Sequence, residues 1–308
     1  MRRIFIFAMT ILLTILPGMA STSAVYAASI PAITTAHYVD STVDFTNLGK
    51  NQAFGSGTTI LDFGGQVIVN TQEGTYDTNY GDFMSLSDIQ NDVQKFIDGY
   101  NSTHTQLLVI LVGTANNHLD TYLDNQVITM ANFWDSMVQT LNQNSGAHTV
   151  VESATDIEGG YSSPAKALKW DYQIAQTLGH LVQDYGNASL NTTSGGTWTN
   201  ADYYNVAWGY TGALAFVQIF SDADNDLDTY DVVPPNGTNN CYRWQEVSDY
   251  GYTNGSHGAI TFGGILTESP WNPYVDDNST GEAYTNFLNI LNSSPHTSQS
   301  SITFWANI

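Results

Sequence analysis

Asp156-Ile-Glu158 is the pattern in this chain that most directly suggests chemistry. On a strand, residues two apart share a face, so both carboxyls point the same way with Cα atoms about 6–7 Å apart. Paired carboxyls at that kind of separation are what cleavage of a glycosidic bond needs. One donates a proton to the leaving oxygen, and the other stabilises or attacks the sugar cation. Gly159 and Gly160 follow at once and end the strand. Asp62, in Ile60-Leu-Asp62-Phe-Gly, and Asp184, in Val182-Gln-Asp-Tyr, close two other apolar runs. A strand-end Asp also starts Asx turns, which is the plainer reading of Asp184. Trp208 and Tyr210, in Val206-Ala-Trp208-Gly-Tyr210, offer rigid apolar platforms for sugar faces, with packing inside the fold as the equal alternative.

Other patterns carry less. Asp222, Asp224, Asp226 and Asp228 alternate as calcium ligands do, but the stretch lacks the central glycine and final glutamate of an EF-hand loop. The seven histidines show no metal-binding spacing, and no Ser/His/Asp set assembles from the sequence. No metal and no cofactor is expected. Asn101, Asn187 and Asn278 stand in N-x-S/T sequons, a common chance pattern in a chain rich in Asn, Ser and Thr.

Acids on strand ends need strands, and the sequence supplies them in alternation with helices. Thr59-Thr-Ile-Leu-Asp-Phe-Gly, Leu107-Leu-Val-Ile-Leu-Val-Gly and Thr149-Val-Val-Glu-Ser-Ala-Thr-Asp read as strands covered on both faces. Further runs at His180–Tyr185, Tyr203–Tyr210, Ala213–Phe220 and Gly258–Leu266 complete seven. The eighth is either in a weak stretch such as Val67-Ile-Val or missing. Helices are predicted from the capping pattern Ser87-Asp-Ile-Gln, over Met130–Leu141 with Phe133, Met137 and Leu141 inside, and over Glu282–Leu291. One more runs from Ser163-Pro164 to Gly179, with Leu168, Tyr172 and Leu178 inside. The alternation implies a mostly parallel sheet, closed or doubly wound. Ile302-Thr-Phe-Trp adds a closing segment.

Taken in order, these strand ends resemble the family-25 lysozymes and the secreted glycoside-hydrolase-like domains related to them. Ile60-Leu-Asp62 is similar to the family's first-strand aspartate and Asp156-Ile-Glu158 to its middle-strand D-x-E. Val206-Ala-Trp208-Gly-Tyr210 is similar to its Trp-containing strand and Val217-Gln218-Ile-Phe to its Gln-containing strand. The resemblance covers about Thr59 to Ile308. It implies a TIM-type (β/α) barrel of seven or eight strands, with the site at the C-terminal ends of the strands. It also implies Glu158 as general acid, Asp156 as stabiliser or nucleophile, Asp62 shaping the −1 sugar site, and Gln218, Trp208, Tyr210 and Asp184 facing substrate. The family's acidic residue on the final barrel strand has no counterpart in Ile260-Thr-Phe262-Gly, and its Tyr-His pair is absent.

Composition sets the setting. Arg2, Arg3 and the apolar run Ile4–Leu16, followed by small residues with Val25 and Ala27, read as an export signal cleaved after Ala27. The expected organisation is a signal over 1–27, a leader segment over 28–58 and one barrel domain over 59–308, secreted and monomeric. Five basic residues remain after Ala27, against 29 acidic ones. Nucleic acid is therefore excluded as a partner, and anionic membranes and anionic wall polymers are disfavoured. Solubility in an acidic habitat is the simplest reading of this charge. The single Cys241 cannot form an intramolecular disulfide, so stability must come from packing. Extracellular hydrolysis of a polysaccharide is the leading expectation. A non-catalytic carbohydrate-binding or surface protein on a degenerate glycosidase barrel is the alternative.

Overall fold

Short runs of β-branched and aliphatic residues, each ended by glycine or a polar residue, become parallel strands here, and the amphipathic stretches between them become helices laid over the outside. A computed structural model describes residues 31–76, 82–188, 197–219, 240–267 and 282–307. The chain begins with β1 (Thr34–Thr35), β2 (His37–Tyr38), α1 (Phe45–Asn51), β3 (Thr58–Val69), β4 (Gln72–Tyr76), β5 (Phe83–Ser85), α2 (Leu86–Thr103) and β6 (Leu108–Ala115). It continues through α3 (Asp124–Gln143), β7 (Thr149–Asp156), α4 (Pro164–Tyr172), β8 (Val182–Asp184), α5 (Asn200–Tyr204) and β9 (Ala213–Gln218). It ends with α6 (Asn240–Asn254), β10 (Gly264–Thr267), α7 (Glu282–Asn292) and β11 (Phe304–Asn307). The proposed signal segment lies outside the described residues. Among those residues no helix is long and apolar enough to cross a membrane.

β3, β6, β7, β8, β9, β10 and β11 follow one another in parallel. β1 then pairs with β11 and β2 with β3, so the five residues Thr34–Tyr38 bridge the two edges and close the ring. The eighth barrel strand thus comes from the stretch read in the sequence as a leader. Val67-Ile-Val instead extends β3 into an antiparallel hairpin with β4, outside the ring. The expected TIM-type (β/α) barrel is the observed fold, with eight strands.

The core divides as that architecture requires. Ala36, Ile60, Leu111, Ala154, Tyr185, Phe216, Leu266 and Ala306 form one cluster, a single side chain from each strand meeting inside the ring. Two larger clusters fill the space between the strands' outer faces and the helices. Because side chains alternate along a strand, this inner layer fixes which neighbours also face inward. Two residues further along, Asp62, Gly113, Asp156 and Gln218 project to the same side, toward the C-terminal mouth.

Several local readings change. Tyr203–Tyr210 is helical rather than a strand: Thr199 caps α5 in a reciprocal box with Asp202, and α5 runs on into a wider turn over Asn205–Gly209. Tyr203, Tyr204, Val206 and Ala207 are the buried side. Phe133 is exposed, because α3 buries the stripe Val127, Met130, Ala131, Trp134, Met137, Val138 and Leu141. On α4 the buried residues are Ala167, Trp170 and Asp171, while Tyr172 is exposed. The box that opens α2 uses Ser85 and Asp88, two residues before the pattern read in the sequence. Within Gly258–Leu266 only the end is a strand, so Ile260 and Phe262 precede β10 rather than belong to it. Gly179 closes the α4 segment with φ +73°, as a helix C-terminal glycine should.

Candidate active site

Four of the seven residues singled out in the sequence meet at one mouth. Asp62 ends the regular part of β3, where the pairing with β6 shifts between Asp62 and Gly65. Its Oδ1 accepts from the Gly64 N–H at 2.8 Å. Asp156 ends β7 and is buried at 5% exposure, and Gln218 at the end of β9 reaches across to donate from Nε2 to Asp156 Oδ1 at 3.0 Å. Glu158 lies just beyond, half-buried, on the same side as Asp156, while Ile157 between them packs outward among the helices.

Three residues that sequence reasoning missed hold this arrangement. Asn116, just past β6, clamps the loop: its Nδ2 donates to the Glu158 carbonyl at 3.1 Å and its Oδ1 accepts from the Glu158 N–H at 3.1 Å. The same Nδ2 also reaches Ser162 Oγ at 3.0 Å. Tyr161 donates its hydroxyl to the Glu158 carboxylate. Tyr185 fills the ring's centre, and its buried hydroxyl, which has no hydrogen-bond partner among the described residues, lies close enough to Asp62 and Asp156 to feel their charges. The only sequence signal for these was position: Asn116 and Tyr185 directly follow strand ends, and Tyr161 stands three residues after the D-x-E.

Two glycines make the close approaches possible. A Cβ on Gly113 would lie 2.3 Å from the Tyr185 hydroxyl, and one on Gly186 would lie 2.2 Å from the Ile157 carbonyl. The first lets Tyr185 cross the ring to Asp62, and the second seats the end of β8 against the D-x-E backbone. Gly113→Ala is expected to cost about 1–3 kcal/mol, the usual penalty for overpacking a core. A thermal melt checks this, and an unchanged midpoint would mean that Tyr185 does not lie over Gly113.

The electrostatics follow from the crowding. Burial, then the charges of Glu158, Asp62 and Asp184, push the Asp156 carboxyl well above the usual range. Burial raises Glu158 to about 7, opposed by the Tyr161 hydrogen bond and assisted by Asp62. Two interacting carboxyls titrate as a pair, so between them they retain a proton through neutral pH. Burial foremost, with Asp62 and Asp156 beside it, keeps the Tyr185 phenol protonated.

The other three residues lie elsewhere. Asp184 shares the outward face of β8 with Val182, because Gln183 bonds the lumen-facing Glu152 and Tyr185 occupies the interior. It is fully buried under the helices, beside the equally buried Asp171 of α4. Burial raises it to about 7, against hydrogen bonds from the Gly186 and Ile157 backbone. Trp208 and Tyr210 sit in the turn that leads into the start of β9, at the end of the barrel opposite the mouth. Trp208 packs against the outer cluster, and Tyr210 meets Tyr172 edge-on with centroids 5.2 Å apart. Asp222 to Asp228 lie outside the described residues. Among the described ones, no group of three or more His, Cys, Asp or Glu could hold a metal ion.

No protein-family model matches the chain, and no curated protein matches it. Among solved structures it is similar to a sugar phosphate isomerase/epimerase from Parabacteroides distasonis, at 14% identity over 94% of this chain and 90% of that one, with a TM-score of 0.42. A hyperthermophilic endo-β-1,4-glucanase in complex with substrate is similar at 10% identity, over 86% and 81%, with a TM-score of 0.42. An endo-1,4-β-mannanase from Rhizomucor miehei is similar at 13% identity, over 90% and 85%, with a TM-score of 0.40. These likenesses concern the fold alone, and none of the three is a family-25 lysozyme. The ordered motifs that resemble that family fall on β3, β7 and β9, but the Trp-containing one falls in the helical turn before β9.

Proposed function

We propose that the chain is a secreted glycoside hydrolase that acts on a polysaccharide through the carboxyls at this mouth. The observation that carries the reading is the Glu158 carboxyl, raised to about 7 and placed next to Asp156 at the C-terminal end of a parallel barrel. A general acid works best with a pKa near the operating pH, and crowding among carboxyls is an ordinary way to achieve it. Glu158 protonates the glycosidic oxygen. Once it carries the proton, its charge no longer opposes Asp156, and Asp156 and Asp62 face the developing sugar cation as anions. Gln218 holds Asp156 from the side through Nε2, and Asn116 fixes the loop that aims Glu158. Asp184, Trp208 and Tyr210 have no part in this reading.

Screening the protein against neutral and anionic wall polysaccharides, scoring both product release and retention, tests the proposal. Release of reducing ends supports it. Retention without release supports the second reading, a carbohydrate-binding protein on the same barrel.

A further inference from the structure

A cleft with a volume of about 540 Å³ lies on the outer helices and contains none of the residues of the mouth. That volume is within the usual range for a ligand site, roughly 300–1,000 Å³. Its floor is one face of α6. Gln245 and Glu246, Asp249 and Tyr250, and Thr253 and Asn254 recur every four residues, so they stack on the same side of the helix. From Gln245 to Asn254 this stripe runs about 13 Å, at ~1.5 Å per residue. Asn200 at the start of α5, with Ser293 and Ser294 just past α7, forms its walls. The walls are tied to the floor: Arg243 Nη2 donates to Asn200 Oδ1 at 2.8 Å, and Gln245 Nε2 donates to Ser293 Oγ at 3.0 Å. Tyr250 is half-buried and packs edge-on against Tyr204, with centroids 6.0 Å apart, so its ring is held in place. A groove built this way needs little ordering when a ligand binds.

The lining selects by chemistry. Of its nine residues only Tyr250 brings a ring, and the others are polar, so an apolar ligand would strand them without partners. A cation finds no vacant carboxylate pair, since Glu246 is paired with Arg243 and Asp249 Oδ1 is bonded to His296 Nδ1 at 2.9 Å. An anion finds only Arg243, which is buried and already engaged. Among the described residues no hydrogen bond uses the Asn200 amide N–H groups, the Gln245 Oε1 or the Asn254 Oδ1. Donors and acceptors therefore stand side by side, which suits a ligand whose own groups do both, as hydroxyls do. A peptide strand also carries both kinds, but its side chains need pockets between them, and this lining offers none that is apolar. At the rim Tyr252 is 56% exposed and stacked flat on His296, with centroids 4.2 Å apart, which adds a second ring beside the groove.

We infer that this groove is a second, non-catalytic binding site for a neutral polysaccharide chain, laid along α6 with a sugar face on Tyr250 and hydroxyls on Asn200, Gln245 and Asn254. The inference rests on the groove alone and does not need the chemistry proposed for the mouth.

The test is retardation of the full chain in native gels cast with a soluble neutral β-glucan, a mannan or starch, with gelatin as the polypeptide probe. Each protein carries Glu158→Gln, so that the mouth leaves the probe uncut. At least one of the three glycans should retard the protein. Thr253→Trp, which fills the groove from an exposed position, should weaken that binding at least ~10-fold, the scale of losing a central contact. Where this variant fails to fold, Asn254→Trp at the exposed end of α6 replaces it. Where both fail, protection of Tyr250 and Tyr252 from iodination by the retarding glycan, read by mass spectrometry, takes their place. Absence of retardation by every glycan, retardation that the groove variants leave unchanged, or tyrosines that stay unprotected overturn the inference. Groove-dependent retardation by gelatin alone overturns it in favour of a peptide ligand. Groove-dependent glycan binding by a chain that, with Glu158 intact, releases no product keeps the inference and sinks the proposed hydrolysis. Release without such binding does the reverse.

Discussion

Exchange of Glu158 for Gln is expected to reduce glycan turnover by ~10²-fold or more, the usual scale for losing a general acid, while the melting temperature stays nearly unchanged. The amide keeps the size of the side chain and still accepts from Tyr161, and the Asn116 clamp acts on the Glu158 backbone, which the exchange leaves intact. Removing one of several mutually repelling acids also relieves the burial of Asp156, so a small gain in stability is the more natural sign. In the unaltered protein the proposed hydrolysis should slow above about pH 7, where Glu158 loses its proton. Equal release by parent and variant would remove Glu158 from the mechanism. An unchanged alkaline limb in the pH profile of the parent would do the same.

The second large effect concerns stability against pH. Asp156 and Asp171 are held well above the ordinary carboxylate range, and Glu158 and Asp184 at about 7, with burial the first cause in all four. Raised folded values mean that, above the ordinary unfolded value near 4, the unfolded chain releases protons that the folded one keeps. Stability is therefore greatest in acid and declines as pH rises from about 4 to 7 and beyond, at up to about 1.4 kcal/mol per pH unit for each such proton. Coupling and local relaxation reduce the sum, leaving a loss on the order of 3–5 kcal/mol between pH 5 and pH 8. Asp124, lowered to about 2 by Lys166 and Lys169, works in the opposite sense but lies exposed on the surface, where such pairs contribute little. Asp171→Asn isolates one member of the set. Both of its oxygens are buried without a partner, so the amide should raise stability at pH 8 by about 1–3 kcal/mol and change it little at pH 5. Denaturant unfolding across that range checks both statements, and a stability maximum above neutrality would contradict them.

Much of this barrel is legible in the residues because burial writes itself into composition. Leu108–Ala115 and Thr149–Asp156 are covered on both faces and read as continuous apolar runs, and Pro164 and Gly179 bracket their helix by backbone geometry alone. The same double coverage hides orientation. In Val182-Gln-Asp-Tyr every side chain is buried, so nothing in the letters says that Tyr185 faces the lumen and Asp184 the helices. Tyr203–Tyr210 misleads because its apolar residues satisfy both periods, and the capping pair Thr199 and Asp202 was the signal that decides for a helix. β1 and β2 were invisible for another reason. Two residues apiece carry too little pattern, and their place in the ring is set by partners elsewhere in the chain. Of the site, the carboxyls and Gln218 were readable as residue types at strand ends. The clamps were not, since Asn116 acts on Glu158 only because β6 and β7 are neighbours.

The ring is fastened by a seam between opposite ends of the described chain, Thr34 against Ala306 and Thr35 against Asn307. Contacts so remote in sequence form late in folding, since the whole intervening chain must be ordered before they are rewarded. Until they form, β3 and β11 are open sheet edges with unpaired backbone groups, the usual templates for association with another copy. The two short strands of the N-terminal segment thus govern the passage from an adhesive half-open sheet to a ring with no edge to offer.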